Sequence, residues 1–258
     1  MKIAVSGKGG VGKTTISANL AYLFARDGFN VFAVDADPDA NLGLTLGLDA
    51  GALSNLTPLV EMKEVIESKS GGGGAFYDLN PDVEDVIDNY SLQKGNIHFL
   101  IMGGIKQGGS ACYCKENSFL NSVLNSLLWD KKDAVILDMS AGIEHLTRGT
   151  ARGVDMIVVV TEPTRAALKT AKVVQDLAHD LGLENAKILA NKVRHSKEED
   201  LVRQSFPAED ILGFVPYDDA TWEKSLEAQP VGFGEEDLLN GIREVYQNIL
   251  KGGDKGKE

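Results

Sequence analysis

The segment that most constrains this chain is Gly7-Lys8-Gly9-Gly10-Val11-Gly12-Lys13-Thr14-Thr15. Before it, Ile3-Ala4-Val5 reads as a short buried strand. After it, Thr15 to Leu23 opens an amphipathic helix. Gly7, Gly12, Lys13 and Thr14 fill the pattern of Gly, four residues, Gly-Lys-Thr. A strand that turns through glycines into a helix aims backbone N–H groups at one spot and adds the partial positive charge of the helix N-terminus. Such a loop cradles phosphates, which makes Gly9, Gly10, Val11, Gly12, Lys13, Thr14 and Thr15 the expected ATP-binding residues. Lys13 should reach the β- and γ-phosphates, and the Thr14 hydroxyl should ligate Mg²⁺.

A second lysine, Lys8, lies inside the loop. With it the segment resembles the deviant Walker A class, Lys-Gly-Gly-x-Gly-Lys-Thr, which includes nitrogenase iron protein, MinD, the ParA partition ATPases and nickel-insertion ATPases. The resemblance implies an ATPase that works as a nucleotide-bound homodimer. In it the counterpart of Lys8 crosses to the partner's phosphates, and a cation supplied in trans stabilises charge on the transferred phosphoryl group.

The rest of the chain is consistent with such a fold. Strand and helix signals alternate, which predicts an α/β three-layer sandwich of the P-loop NTPase kind, with a mostly parallel central sheet and helices on both faces. Expected strands are Ile3–Ser6, Val31–Asp35, His98–Met102, Ala134–Asp138, Met156–Thr161, Lys187–Asn191 and Ile211–Val215. Expected helices include Lys13–Arg26, Ser118–Trp129, Thr164–Leu181, Lys197–Ser205 and Glu236–Leu250. The 258 residues read as a single P-loop ATPase domain. Residues 49–96 form an acidic insert containing the run Gly71 to Gly74, expected to be mobile, and 252–258 a disordered polar tail. The formal charge, 26 − 38 = −12, argues against a broad surface for nucleic acid or anionic lipid. No apolar stretch is long enough to span a membrane, and the start leaves no room for a signal peptide, so a cytoplasmic protein is expected.

Two carboxylate segments complete the expected hydrolysis machinery. Asp35, Asp37 and Asp39 close the second strand, where acidic groups suit Mg²⁺ and water positioning. In the resembled class the second aspartate of Asp-x-Asp orients the attacking water, and Asp37 matches it. Val135-Ile136-Leu137-Asp138 has the Walker B form, with Asp138 holding Mg²⁺ through water. Met139-Ser140-Ala141-Gly142 follows and matches the second switch.

Base choice is also legible. Asn191-Lys192-Val193-Arg194 resembles the Asn-Lys-x-Asp reader of guanine, but Arg194 removes the aspartate that would accept from the base. ATP is therefore expected over GTP. The resemblance implies that Asn191 and the backbone near Pro216 line the adenine pocket.

The only two cysteines form Cys112-Tyr113-Cys114 on a glycine-rich loop ahead of a helix, where Lys115 and the helix dipole favour thiolate. Two chains would supply four sulfurs, the set a tetrahedral soft-metal site wants. From the residues alone, two ordinary loop thiols or a transient redox pair remain open. His145 is the one histidine near a switch, either a polar interface residue or an accessory ligand. Together with the loop and Asp138-Met139-Ser140-Ala141-Gly142-Ile143-Glu144-His145, the cysteine pair resembles the CooC-type accessory ATPases of carbon monoxide dehydrogenase. That resemblance implies a homodimeric nickel-insertion ATPase with nickel or zinc bound by Cys112 and Cys114 across the interface. Its client would be carbon monoxide dehydrogenase or the related acetyl-CoA synthase, with no nucleic acid or membrane partner.

Two other readings stand beside it. A MinD- or ParA-like regulator would need a membrane helix or basic DNA contacts, and neither is evident. An iron–sulfur electron-transfer ATPase would place its cysteines far apart, one beside each switch, whereas here they are almost adjacent.

Overall fold

The structure is a computed structural model. It describes residues 1–37, 39–70, 83–103, 119–120, 122–124, 126–127, 130–140, 154–226 and 236–253. Eight strands form one sheet in the order β3-β4-β2-β5-β1-β6-β7-β8. They are β1 (Lys2–Gly7), β2 (Asn30–Ala36), β3 (Leu92–Lys94), β4 (Ile97–Ile101), β5 (Asp133–Met139), β6 (Met156–Thr161), β7 (Ala186–Val193) and β8 (Ile211–Pro216). All neighbours pair in parallel except β3 and β4.

Apolar runs become strands because both faces of the sheet are covered. Along β1, Ala4 faces one core cluster, while Ile3 and Val5 face the other. The same two-residue period runs through β6, with Ile157 and Val159 on the first side and Met156, Val158 and Val160 on the second. The first cluster includes Phe119, Leu168, Val174 and Val202 from covering helices. The second includes Ile16, Leu20 and Phe24 from helix Lys13–Arg26, and Ile242, Val245 and Ile249 from helix Glu236–Gly253. This is the three-layer α/β sandwich expected from the sequence. At each core contact a fully buried aliphatic side chain stabilises by roughly 1.5–3 kcal/mol.

Helix Arg165–Asp180 starts at Thr164, whose hydroxyl accepts from Ala167 N, and Ser196–Ser205 starts with a capping box closed by Glu198. Residues 119–126 are helical where described.

One strand escapes the sequence pattern. β3 is three residues long, largely exposed and antiparallel to β4 across the two-residue turn Gly95-Asn96. Too short to show a period, it announces itself only by that Gly-Asn turn.

Residues 49–96 contain helices Ala50–Ser54, Lys63–Ser70 and Glu84–Tyr90. Leu59, Met62, Ile66, Val83, Val86 and Ile87 from this stretch are buried in the first core cluster. The Gly71–Gly74 run and the tail from 254 lie outside the described residues.

Candidate nucleotide site

Parallel pairing brings the C-terminal ends of β1, β2, β5, β6 and β7 to one edge of the sheet, the usual place for ligands in an open α/β fold. The glycine-rich loop leaves β1 there. Gly7 has φ 145°, and a Cβ on it would sit 2.1 Å from the Val160 carbonyl oxygen on β6. Gly12, at φ 95°, caps helix Lys13–Arg26 in the left-handed conformation. No side chain caps that helix and its first turn carries no acidic residue. Its leading N–H groups are thus left for an anion.

Lys13 is buried against the loop, its ammonium 3.4 Å from the Lys8 carbonyl. Lys8 itself is exposed, with no ion-pair partner among the described residues.

Asp138, one residue before the end of β5, has 1 % of its surface exposed. Ser17 Oγ donates to its Oδ1 at 2.9 Å, and Thr14 also hydrogen-bonds it. Burial pushes the carboxyl up to about 6, with the Thr14 and Ser17 bonds and Lys13's charge pulling back and Asp37's charge pushing further. Asp35 is its register partner across β2 and β5 and is fully buried. Burial drives Asp35 up to about 7, although it accepts from Leu42 N at 2.8 Å and Asp37 N at 3.1 Å. Those two bonds tie the strand end to the segment that carries Asp37. Asp37 is half-buried, and its Oδ1 accepts from Asp39 N at 3.1 Å, leaving Asp39 exposed.

Asn191 is buried and its Nδ2 donates to Val11 O at 2.7 Å. It shares with Pro216 a cavity of about 230 Å³ beside the loop, lined also by Gly12, Thr15, Tyr217 and Trp222. Thr221 Oγ1, on the same wall, is buried with no hydrogen-bond partner among the described residues. Arg194, at the position where a guanine reader carries its aspartate, folds its guanidinium over the Tyr217 ring, 3.8 Å from the centroid, and Asp218 also lines the cavity.

Loop, Asp37, Asp138, Asn191 and Pro216 thus meet at one edge. Cys112, Cys114, Gly142 and His145 lie outside the described residues. Among the described residues no group of three or more His, Cys, Asp or Glu side chains could hold a metal ion. Nor is any described helix long and apolar enough to cross a membrane.

Sequence reasoning missed two partners and named a third only as one of three carboxylates. Ser17 lies one turn beyond Thr14 on the same helix face, a spacing that could have flagged it. Asp35 received no separate role from the sequence. Lys192 reaches Gly10 O at 2.7 Å, a contact that no local pattern signals.

A strand-loop-helix cradle with buried carboxylates on the adjoining strand ends defines a P-loop nucleotide-binding protein. Residues 2–231 match the CbiA family, the CobQ/CobB/MinD/ParA nucleotide-binding domain, and the chain belongs to it as a P-loop ATPase. It is 38 % identical over 258 residues to an ATP-binding protein of Methanocaldococcus jannaschii, covering 97 % of this chain and 98 % of that one. It is 39 % identical over 223 residues to the carbon monoxide dehydrogenase accessory protein CooC of Rhodospirillum rubrum, covering 85 % of each. The fold matches the septum site-determining protein MinD of Pyrococcus horikoshii, solved with Mg-ADP, at a TM-score of 0.67 and 22 % identity over 100 % of this chain and 99 % of the other.

Proposed function

We propose that this chain is an ATP-dependent, homodimeric maturation factor. In this reading it binds nickel or zinc through Cys112 and Cys114 of both chains. It assists nickel insertion into the nickel–iron–sulfur cluster of carbon monoxide dehydrogenase, or serves the related acetyl-CoA synthase. The observation that carries this reading is the 39 % identity to CooC along 85 % of both chains.

The site chemistry supports the ATPase half. Gly9 to Thr15 hold the phosphates, Lys13 neutralises them, and Asp37 orients the attacking water. Hard oxygen donors suit Mg²⁺, which Thr14 would hold directly and Asp138 through water. Bound Mg²⁺ would neutralise charge on the phosphates. Lys8, exposed on the loop, is free to serve a partner's site in the deviant Walker A manner.

ATP is the proposed nucleotide, with Asn191 and Pro216 beside the base. ATP is expected to be turned over at least about tenfold faster than GTP at equal subsaturating concentration. Comparable rates would reject the base assignment.

A membrane-bound regulator is the less favoured reading. Helix Glu236–Gly253 already buries Ile242, Val245, Tyr246 and Ile249 against the sheet and helix Lys13–Arg26, which occupies the face a membrane would need. The proposed protein is cytoplasmic and has no nucleic-acid partner.

Anaerobic native mass spectrometry with ATP and Ni²⁺ or Zn²⁺ tests the metal half. A dimer carrying one metal ion is expected, and the metal should be lost in Cys112→Ser/Cys114→Ser. A metal-free dimer, unchanged in the variant, would retain the ATPase and favour a regulatory role.

A further inference from the structure

Asn191 and Lys192 are consecutive residues near the end of β7. In a regular strand, consecutive side chains leave on opposite faces. Here both reach the same loop. Asn191 Nδ2 donates to Val11 O at 2.7 Å, and Lys192 Nζ donates to Gly10 O at 2.7 Å. The backbone makes this possible. Lys192 has φ 61°, in the left-handed region, and the β7–β8 register shifts between Ala190 and Val193. Bulges of this kind re-aim side chains. A left-handed lysine is disfavoured sterically and persists only where its surroundings hold it. The surroundings include Glu162 at the end of β6, whose Oε1 accepts from Lys192 Nζ at 2.6 Å.

We infer that Lys192, keyed by Glu162 and acting beside Asn191, is a positioning residue for the phosphate-binding loop. The C=O and N–H of a trans peptide point in opposite directions. Drawing the Gly10 and Val11 carbonyls toward β7 turns the Val11 and Gly12 N–H groups the other way, toward the phosphate position. Lys192 grips the outside of the loop, whereas Lys13 serves its inside. Its charge is matched by Glu162, so its contribution is orientation rather than added positive potential. The strain at φ 61° is the cost of placing two adjacent donors on one loop. This role rests on the P-loop ATPase class and is independent of the metal and of any client enzyme.

The test compares Lys192→Met, Lys192→Gly and Lys192→Arg by titration calorimetry with MgADP and by melting of the nucleotide-free proteins. Met and Gly should each raise the MgADP Kd about 10- to 100-fold, because a loosened loop no longer presents its N–H groups together. Arg keeps a cationic donor and should recover most of the affinity. Glycine adopts the left-handed conformation without strain, so nucleotide-free Lys192→Gly should melt at or above the wild-type temperature. That separation of binding from stability is the signature of positioning. Wild-type MgADP affinity in the Met and Gly variants would overturn the inference. So would an Arg variant as weak as Met, or a loss of affinity that follows a drop in melting temperature in both Met and Gly.

Discussion

Asp138→Asn should cut kcat roughly 100-fold or more while making the nucleotide-free protein more stable at pH 8. The two effects have one cause. The carboxylate is buried near the end of β5 and its pKa is pushed up to about 6, mainly by burial. An unfolded aspartate titrates near about 3.9, so the folded chain takes up its proton more readily. Below about pH 4 the group is neutral in both states and costs nothing. As pH rises toward 6 the folded state must ionise a desolvated group, and the penalty grows. It is complete above pH 6, at up to about 3 kcal/mol. Asparagine keeps an acceptor for Ser17, which lies 2.9 Å from Oδ1, and carries no charge. The variant's advantage should therefore be clear in melts at pH 8 and absent near about pH 4. Single-turnover assays would read the activity loss. A variant that melts below wild type at pH 8 would show that the carboxylate supports the fold instead of straining it.

Gly7→Ala is expected to be the most damaging single change in the loop. A Cβ there meets the Val160 carbonyl oxygen at 2.1 Å, and φ is 145°. The obstacle is backbone on the neighbouring strand, paired in register with Gly7 itself. Relief would require parting β1 from β6 in the middle of the sheet, at a cost of about 4 kcal/mol or more. In a chain of this size that is a fall of roughly 10 °C in Tm, or failure to fold. Gly12→Ala makes the contrast. Its Cβ would meet the Asn191 amide nitrogen at 2.4 Å, a side chain that can swing aside. That protein should fold yet bind nucleotide poorly, because the strained loop has lost Asn191's hold on Val11. Melting curves and MgADP titrations of both variants decide the matter. A Gly7→Ala protein that melts within about 2 °C of wild type would contradict the backbone clash.

The loop and the seven longer strands were legible in the sequence because each is a local signal. An apolar run of five or six residues between turn residues has few outlets other than a buried strand. Gly-x-x-x-x-Gly-Lys-Thr after such a run specifies its own conformation through glycines at Gly7 and Gly12 and the helix that follows. β3 fell below that threshold: three largely exposed residues carry no usable period, and only the Gly95-Asn96 turn marks them.

What the sequence determined by itself was the phosphate cradle, the parallel α/β plan, and the candidates Lys13, Asp37 and Asp138 that such a plan gathers at one edge. Only tertiary structure decided how those candidates are held. Strand order put Asp35 beside Asp138, and burial of both carboxylates raised their pKa values. Helix packing set Ser17 against Asp138, 121 residues away in the chain. The bulge at Lys192 brought two neighbouring side chains onto a loop 180 residues earlier. Local patterns report propensity and periodicity within a dozen residues. Which strands become neighbours, and in what register, depends on packing the whole chain, and the electrostatics of the site follow from that.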